Sequence, residues 1–211
     1  GTVYTIEGKG TGRHIHNMYP AVGDEYTQLA TSSKADLVWH VEEAFHPARP
    51  EWLALLCLKG DCRVTTKIAR ARDLRFDPET GDDLRAREVK LRIDETYRQG
   101  VTAASVTTTI LSGTPTDPQI VLDPAYTIVD SESAAAAVAT VCSAADRAQT
   151  RVSLEAGDFL TFDNRRVIHA RTAFDPRMDG TDRWLKRAFV IEAPVHRSLL
   201  DNGTIAFGVP C

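Results

Sequence analysis

A histidine and a carboxylate two residues apart, His40 and Glu42, follow the apolar run 37–39. Side chains alternate along a β-strand with a period of two, so this pair would project from one face. A second histidine, His169, lies far downstream within the segment 163–171. Two histidines and one carboxylate form a facial triad, a ligand set that suits Fe(II) and leaves coordination positions open. The His40 and Glu42 spacing alone is a weak signal, and it gains weight from the residues around it.

Two arginines, Arg183 and Arg187, follow the second histidine within the segment 179–187. On a strand, their spacing of four residues places both guanidinium groups on the same face. A guanidinium can bind a carboxylate through two parallel hydrogen bonds, so each arginine could hold an anion. Two arginines that face into one barrel would repel each other unless anions bind there. Surface arginines without a ligand are the alternative that spacing leaves open.

The elements that must position these residues are mostly short strands. Apolar and β-branched runs bounded by turn residues predict strands at 13–18, 37–39, 52–58, 63–68, 105–111, 119–122, 159–162 and 187–191. His169 is expected in a further strand. The run 52–58 is continuously apolar, which predicts burial on both faces, and 63–68 is expected to return beside it as its partner strand.

One main helix is predicted from an N-cap at Asp130 or Ser131 to about Ala148, with an apolar stripe that packs on a sheet. The polar segment 70–104 predicts a short helix and a mobile loop, either a lid over the site or a solvated connection. Many short strands with one main helix predict a mainly β fold with flanking helices. We expect a double-stranded β-helix, or jelly roll, with the metal in its mouth.

Composition limits the classes of partner. The 211 residues are enough for one domain with a sizeable core, and the net charge of −4 argues against a nucleic-acid groove. No apolar stretch approaches the roughly 20 residues that span a bilayer. The four cysteines lack C-x-x-C spacing, which predicts free thiols and a reducing, cytoplasmic location. A small molecule is therefore the expected partner, and the oligomeric state stays open.

Four blocks of the sequence resemble the clavaminate synthase-like branch of the Fe(II)/2-oxoglutarate oxygenases. They are HVEEAFHP at 40–47, LLCLKGD at 55–61, DNRRVIHAR at 163–171 and DGTDRWLKR at 179–187. The resemblance implies hydroxylation of an unactivated carbon with Fe(II), 2-oxoglutarate and O2. The implied substrate is a free L-amino acid like arginine, asparagine or lysine, or an amino-acid-derived intermediate of antibiotic biosynthesis. A desaturase or cyclase on this scaffold, or a non-catalytic jelly-roll protein that binds a small acid or metal, are the alternatives.

The same resemblance implies roles for individual residues. The implied iron ligands are His40, Glu42 and His169. Arg183 matches the arginine that binds the distal carboxylate of 2-oxoglutarate, with Thr66, or else Thr65, as its hydroxyl partner. Arg187 matches the anchor of the substrate α-carboxylate.

Acidic residues near the substrate are matched more loosely. Asp123 and Asp130 lie near the positions where relatives that bind basic side chains place acids, and Asp130 also competes as a helix cap. The segment 70–104 matches the family poorly, and Ala170 stands where the family usually has glycine. Members of this branch carry a further N-terminal part. We therefore expect residues 1–211 to form a single oxygenase domain that lacks this part.

Overall fold

Short strands make up most of the regular secondary structure of the computed structural model, which describes residues 1–9, 12–94, 104–192 and 200–205. The strands are β1 (Thr2–Ile6), β2 (Ile15–Met18), β3 (Leu37–His40), β4 (Trp52–Lys59), β5 (Thr66–Arg70), β6 (Glu88–Arg92), β7 (Ser105–Thr109), β8 (Leu111–Thr114), β9 (Asp117–Ile120), β10 (Thr127–Ile128), β11 (Thr150–Val152), β12 (Phe159–Asp163), β13 (Val167–Arg171), β14 (Trp184–Ile191) and β15 (Thr204–Ile205). The helices are a 3₁₀ turn (Ala71–Asp73), α1 (Pro78–Ala86) and α2 (Glu132–Ala148).

Two sheets form the frame that carries the site. The larger sheet has the order β12-β4-β14-β1-β15, with β2 also paired to β14, and the smaller has the order β11-β5-β13-β3. Buried side chains of both sheets belong to one hydrophobic cluster. The strands β6, β7 and β10 form a separate sheet, and β8 pairs with β9. This arrangement confirms the predicted jelly roll.

Strand β4 is buried on one face only. Leu53, Leu55 and Cys57 point into the core, whereas Leu56 and Leu58 are exposed. The prediction of burial on both faces is therefore wrong, because an apolar run does not reveal whether a second layer covers each side. Cys57 is a free, buried thiol, as predicted.

The segment after β4 does not return beside it. Strand β5 lies in the smaller sheet, between β11 and β13, so the chain crosses from one layer to the other through residues 60–65. The predicted pairing of 52–58 with 63–68 is wrong for this reason. A turn signal shows that the chain reverses, but it cannot show which sheet receives the next strand.

Helix α2 confirms the predicted main helix. Ser131 is its N-cap and accepts a hydrogen bond from the backbone N–H of Ala134, an interaction worth about 1 kcal/mol. Val141 and Ala145 are fully buried on the predicted stripe, and the helix packs against β5. None of the helices in the described ranges is long and apolar enough to span a bilayer.

The polar segment 70–104 contains more regular structure than predicted. The expected short helix is α1, capped by the Asp77 carboxylate, but the segment also contains β6, paired with β7 and β10. The sequence analysis missed β6 because only Val89 and Leu91 are buried among charged neighbours, a pattern too short to indicate a strand. Residues 95–103 of the predicted loop lie outside the described residues.

Candidate active site

Three side chains with metal-binding atoms converge between β3 and β13. His40 is the last residue of β3 and pairs in register with His169 of β13, and their ring centroids are 4.1 Å apart. Glu42 follows two residues after His40, where the strand has already ended. The candidate ligand atoms of the three residues all lie within 4.8 Å of one another.

The two imidazoles offer ring nitrogens to the same space. Nδ1 of His40 donates a hydrogen bond to the carbonyl oxygen of Val38 at 2.8 Å, so Nε2 is the nitrogen that this ring offers to a metal. Burial, and then the neighbouring His40, lower the pKa of His169 well below its ordinary value. Metal binding requires an unprotonated imidazole, so the buried His169 ring fits this role.

The Glu42 carboxylate is buried yet ionised. Burial alone would raise its pKa, but Arg187 and then Lys9 outweigh that effect and lower the pKa to about 2. Oε1 accepts a hydrogen bond from Arg187, and Oε2 lies 3.8 Å from Nε2 of His169. Two imidazoles and one ionised carboxylate therefore fit a divalent cation such as Fe(II).

The triad lies in a cavity of about 370 Å³ that is lined by both main sheets. The charged residues that line it are Lys9, Arg13, Glu42, Glu43, Asp94, Asp123, Arg171, Arg183 and Arg187. A volume of this size suits a small molecule. Because charges of both signs line the cavity, we expect it to bind a molecule that carries both signs.

Arg183 is a buried cation for which the described residues provide no anionic partner. It is only 8% exposed, and its guanidinium donates to Oγ1 of Thr66 at 3.3 Å. Burial, and then Arg171, lower its pKa to about 10, and no ion pair within the described ranges includes it. Thr65 instead receives a hydrogen bond on its carbonyl from the N–H of Thr172. Since an unpaired buried charge is costly, Arg183 and Thr66 form a candidate site for a ligand carboxylate.

Arg183 and Arg187 share a face, as their spacing predicted. Side chains along β14 alternate between buried and half-buried, Arg187 is on the buried side, and Arg183 directly precedes the strand with the same parity. The two arginines differ in their partners, because only Arg187 has a carboxylate partner among the described residues.

Two acids occupy another part of the cavity. Asp123 is 8% exposed, accepts a hydrogen bond from the N–H of Ala125, and is in no ion pair within the described part of the chain. Burial raises its pKa to about 6. Asp94, which sequence reasoning missed inside the charged segment, accepts a hydrogen bond from the Tyr126 hydroxyl at 2.5 Å. Asp94 lies two residues after β6, and the position of that strand in its sheet places Asp94 at the cavity.

The cationic and acidic parts lie on opposite sides of the paired histidines along the smaller sheet. On one side, Thr66 pairs with Arg171, two residues beyond the histidine of β13. On the other, the N–H of Val41, next to the histidine of β3, donates to the carbonyl of Leu122, beside Asp123. A ligand that spans the cavity can therefore meet a cation and an acid with the triad between them.

Asp130 is the predicted site residue that the structure does not bring to the cavity. It is exposed, it pairs with Lys90 at 3.3 Å, and it is absent from the cavity lining. Ser131 caps α2, so Asp130 does not cap it either. Asp130 lies two residues before the start of α2, on the surface of the protein.

Comparisons of the sequence with family models and with known proteins point to the same family. The family model for the taurine catabolism dioxygenase TauD, TfdA family matches residues 76–189. The chain is 33% identical to an enduracididine beta-hydroxylase of Streptomyces hygroscopicus, over 82% of this chain and 58% of that protein. It is 32% identical to an L-ornithine/L-arginine 3-hydroxylase of Catenulispora acidiphila, over 89% of this chain and 62% of that protein. The chain thus spans less than two thirds of the length of these relatives.

Solved structures show the same fold. An asparagine oxygenase in complex with Fe(II), 2S,3S-3-hydroxyasparagine and succinate matches with a TM-score of 0.82 and 30% identity, over 90% of this chain and 60% of its own. The non-heme iron oxygenase OrfP, in complex with Fe, succinate and (3S)-hydroxy-L-Arg, matches with a TM-score of 0.84 and 28% identity. That match covers 99% of this chain and 68% of OrfP.

Proposed function

The chain belongs to the TauD/TfdA dioxygenase family, and on that premise we propose that it is an Fe(II)- and 2-oxoglutarate-dependent oxygenase. We propose that it hydroxylates a free L-α-amino acid with a cationic side chain. The observation that carries this proposal is one cavity in which the triad lies between a buried arginine and a buried aspartate, neither of which forms an ion pair with any described residue. We also propose that the described strands of both main sheets belong to a single oxygenase domain.

His40, Glu42 and His169 would hold the iron, since their ligand atoms lie within 4.8 Å of one another, Glu42 is held ionised and burial keeps His169 neutral. When bound, iron with 2-oxoglutarate and O2 supplies the oxidation that replaces a carbon-bound hydrogen by a hydroxyl group. The task of the chain is to hold the co-substrate, orient the carbon to be oxidised and exclude water.

Arg183 and Thr66 would bind the distal carboxylate of 2-oxoglutarate. The guanidinium has its hydroxyl neighbour at 3.3 Å and no anionic partner within the described ranges. A dicarboxylate supplies the missing charge, and the fork of the guanidinium selects a planar carboxylate. Two solved relatives were obtained with succinate, the dicarboxylate product of such a reaction.

Arg187 would anchor the α-carboxylate of the amino acid. It contacts Glu42 through one nitrogen, and a second lies 3.4 Å from Nδ1 of His16. Its Nε is buried and has no hydrogen-bond partner in the described part of the chain. A carboxylate from a ligand would accept a hydrogen bond from this donor.

Asp123 and Asp94 would receive the cationic side chain. A cation near Asp123 would stabilise its charged form against the cost of burial, which otherwise raises its pKa to about 6. The sequence relatives named for lysine and for ornithine and arginine act on amino acids with such side chains. The asparagine oxygenase shows that the family also includes an enzyme for a neutral side chain.

The test is succinate formation and O2 uptake by the Fe(II)-loaded protein with matched pairs of amino acids. L-Lysine, L-ornithine and L-arginine are compared with the neutral analogues L-norleucine and L-citrulline. We expect turnover with at least one of the cationic amino acids. The product should be hydroxylated, with a mass greater than that of the substrate by one oxygen atom. If the protein binds Fe(II) but does not turn over 2-oxoglutarate in the presence of any of these amino acids, the oxygenase proposal is contradicted. Equal turnover of the neutral analogues would contradict the preference for a cation.

A further inference from the structure

Glu42 lies just beyond the end of strand β3, so no neighbouring strand among the described residues supplies the hydrogen bonds of its backbone. Strand β3 ends at His40, and the N–H of Val41 donates to the carbonyl of Leu122, which lies outside the strands. Glu43 then takes a left-handed conformation with a φ of 55°, uncommon for a residue with a side chain. The chain therefore turns away immediately after the carboxylate. The backbone N–H and C=O of Glu42 need partners from elsewhere, because both are buried.

The side chain of Asn164 provides both partners. Its Oδ1 accepts from the N–H of Glu42 at 2.8 Å, and its Nδ2 donates to the carbonyl of Glu42 at 3.0 Å. A primary amide presents an acceptor and a donor side by side, as the N–H and C=O of one strand residue do. Asn164 thus replaces, for one residue, the neighbouring strand that Glu42 lacks. The two bonds fix both the position and the rotation of the peptide planes at Glu42.

Asn164 also closes the segment that begins at Glu42. Its second amide proton reaches the carbonyl of Pro50 at 2.9 Å, and its backbone N–H donates to the carbonyl of Glu51 at 2.8 Å. The residue is fully buried, so every one of these bonds is made away from water. It lies five residues before His169 on the turn between β12 and β13. One side chain therefore joins the two segments that carry the triad.

We propose that Asn164 is a positioning residue for the metal centre, which it controls by fixing the backbone of Glu42. This inference rests on the proposed function only in that the triad binds a divalent cation. It predicts an effect on metal affinity before any co-substrate or amino acid is bound. Residues that orient a metal ligand typically change metal affinity by about 10- to 100-fold when they are replaced.

The test is a Co(II) titration of the whole chain without 2-oxoglutarate or amino acid, followed by the visible absorption of the bound ion. We expect Asn164→Ala to weaken Co(II) binding by about 10- to 100-fold. We also expect a changed spectrum at saturation, since the carboxylate would meet the ion in a different geometry. Asn164→Leu, which keeps the volume of the side chain without its hydrogen bonds, should act in the same direction.

Tyr4→Phe is the matched control. The Tyr4 hydroxyl donates to the carbonyl of Ala48 at 2.8 Å, so this variant also removes a buried hydrogen bond to the segment 42–51, made at Ala48 instead of Glu42. We expect it to lower the melting temperature but to leave the affinity and the spectrum of Co(II) unchanged.

The outcomes separate this inference from the proposed function. A wild-type chain that binds no Co(II) would overturn the metal site itself, and the inference with it. Wild-type affinity in either folded Asn164 variant would overturn only the inference. Failure of both variants to fold, or an equal loss in Tyr4→Phe, would assign Asn164 a purely structural role and overturn it as well.

Discussion

Arg187 donates a hydrogen bond to Oε1 of Glu42, while Oε2 of the same carboxylate faces Nε2 of His169 at 3.8 Å. The two carboxylate oxygens are thus divided between a cationic side chain and the candidate metal position. Arg187 is also the proposed anchor of the substrate α-carboxylate. The same guanidinium would therefore contact a metal ligand and the substrate, and its replacement should affect both.

The first prediction concerns the metal. His40→Ala and His169→Ala should each abolish stoichiometric Fe(II) binding in an anaerobic titration, because two remaining ligands hold the ion poorly. The fold should survive, since both rings line a cavity. His14→Ala, at a histidine outside the cavity lining, is the control and should bind as the wild type does. Normal iron binding and turnover in either triad variant would remove that residue from the site.

The second prediction concerns 2-oxoglutarate. Arg183→Ala should raise the concentration required for half-maximal turnover by about 100-fold, or ~3 kcal/mol, the value of a lost charged hydrogen-bond partner. The dependence on the amino acid should change far less. Arg177→Ala is the control, because Arg177 is a half-exposed arginine in the connection between β13 and β14. An unchanged requirement in Arg183→Ala would place the co-substrate carboxylate elsewhere, with Arg171 as the next candidate.

The third prediction concerns the α-carboxylate of the substrate. The wild type should oxidise a free amino acid and not its amide, because only the acid can pair with Arg187. In Arg187→Ala, turnover of the acid should fall and the preference over the amide should disappear. The N-acetyl amino acid shows whether a free amine is also needed. Equal rates for acid and amide in the wild type would exclude Arg187 as the anchor.

The fourth prediction concerns stability against pH in the metal-free protein. Burial raises the pKa of Asp123 to about 6 from an ordinary 3.8. The folded state therefore holds this proton more tightly than the unfolded state does. Stability should fall as the pH rises from about 4 to about 6 and then level off.

Asp123→Asn should consequently raise the melting temperature at pH 7.5 and change it little at pH 4. The pKa difference corresponds to at most about 3 kcal/mol, since one unit is worth about 1.4 kcal/mol. Asp130→Asn, at an exposed acid, is the control and should keep the pH dependence of the wild type, because Asp123 is still present. A destabilised Asp123→Asn at pH 7.5 would mean that Asp123 already has a cationic partner in the folded protein.

Local pattern was sufficient for much of the fold. The alternation that places Arg183 and Arg187 on one face is a property of any strand, so it survives whatever the strand packs against. The cap and the apolar stripe of α2 likewise depend on neighbours within one or two turns. The strands β12, β13 and β14 were anticipated for the same reason, although β14 begins three residues earlier than expected.

The sequence by itself determined which chemical groups were available and, for His169 and Arg187, that each lies on a strand. Only the tertiary structure decided which of them meet. Arg183 reaches Thr66 across 117 residues, Asn164 reaches Glu42 across 122, and Arg187 reaches Glu42 across 145. Such contacts depend on which layer a strand joins and on its register there, and a shift of one residue would turn each side chain to the other face. Strand β5 crossed to the smaller sheet against its local turn signal, and that crossing is what brings Thr66 to Arg183.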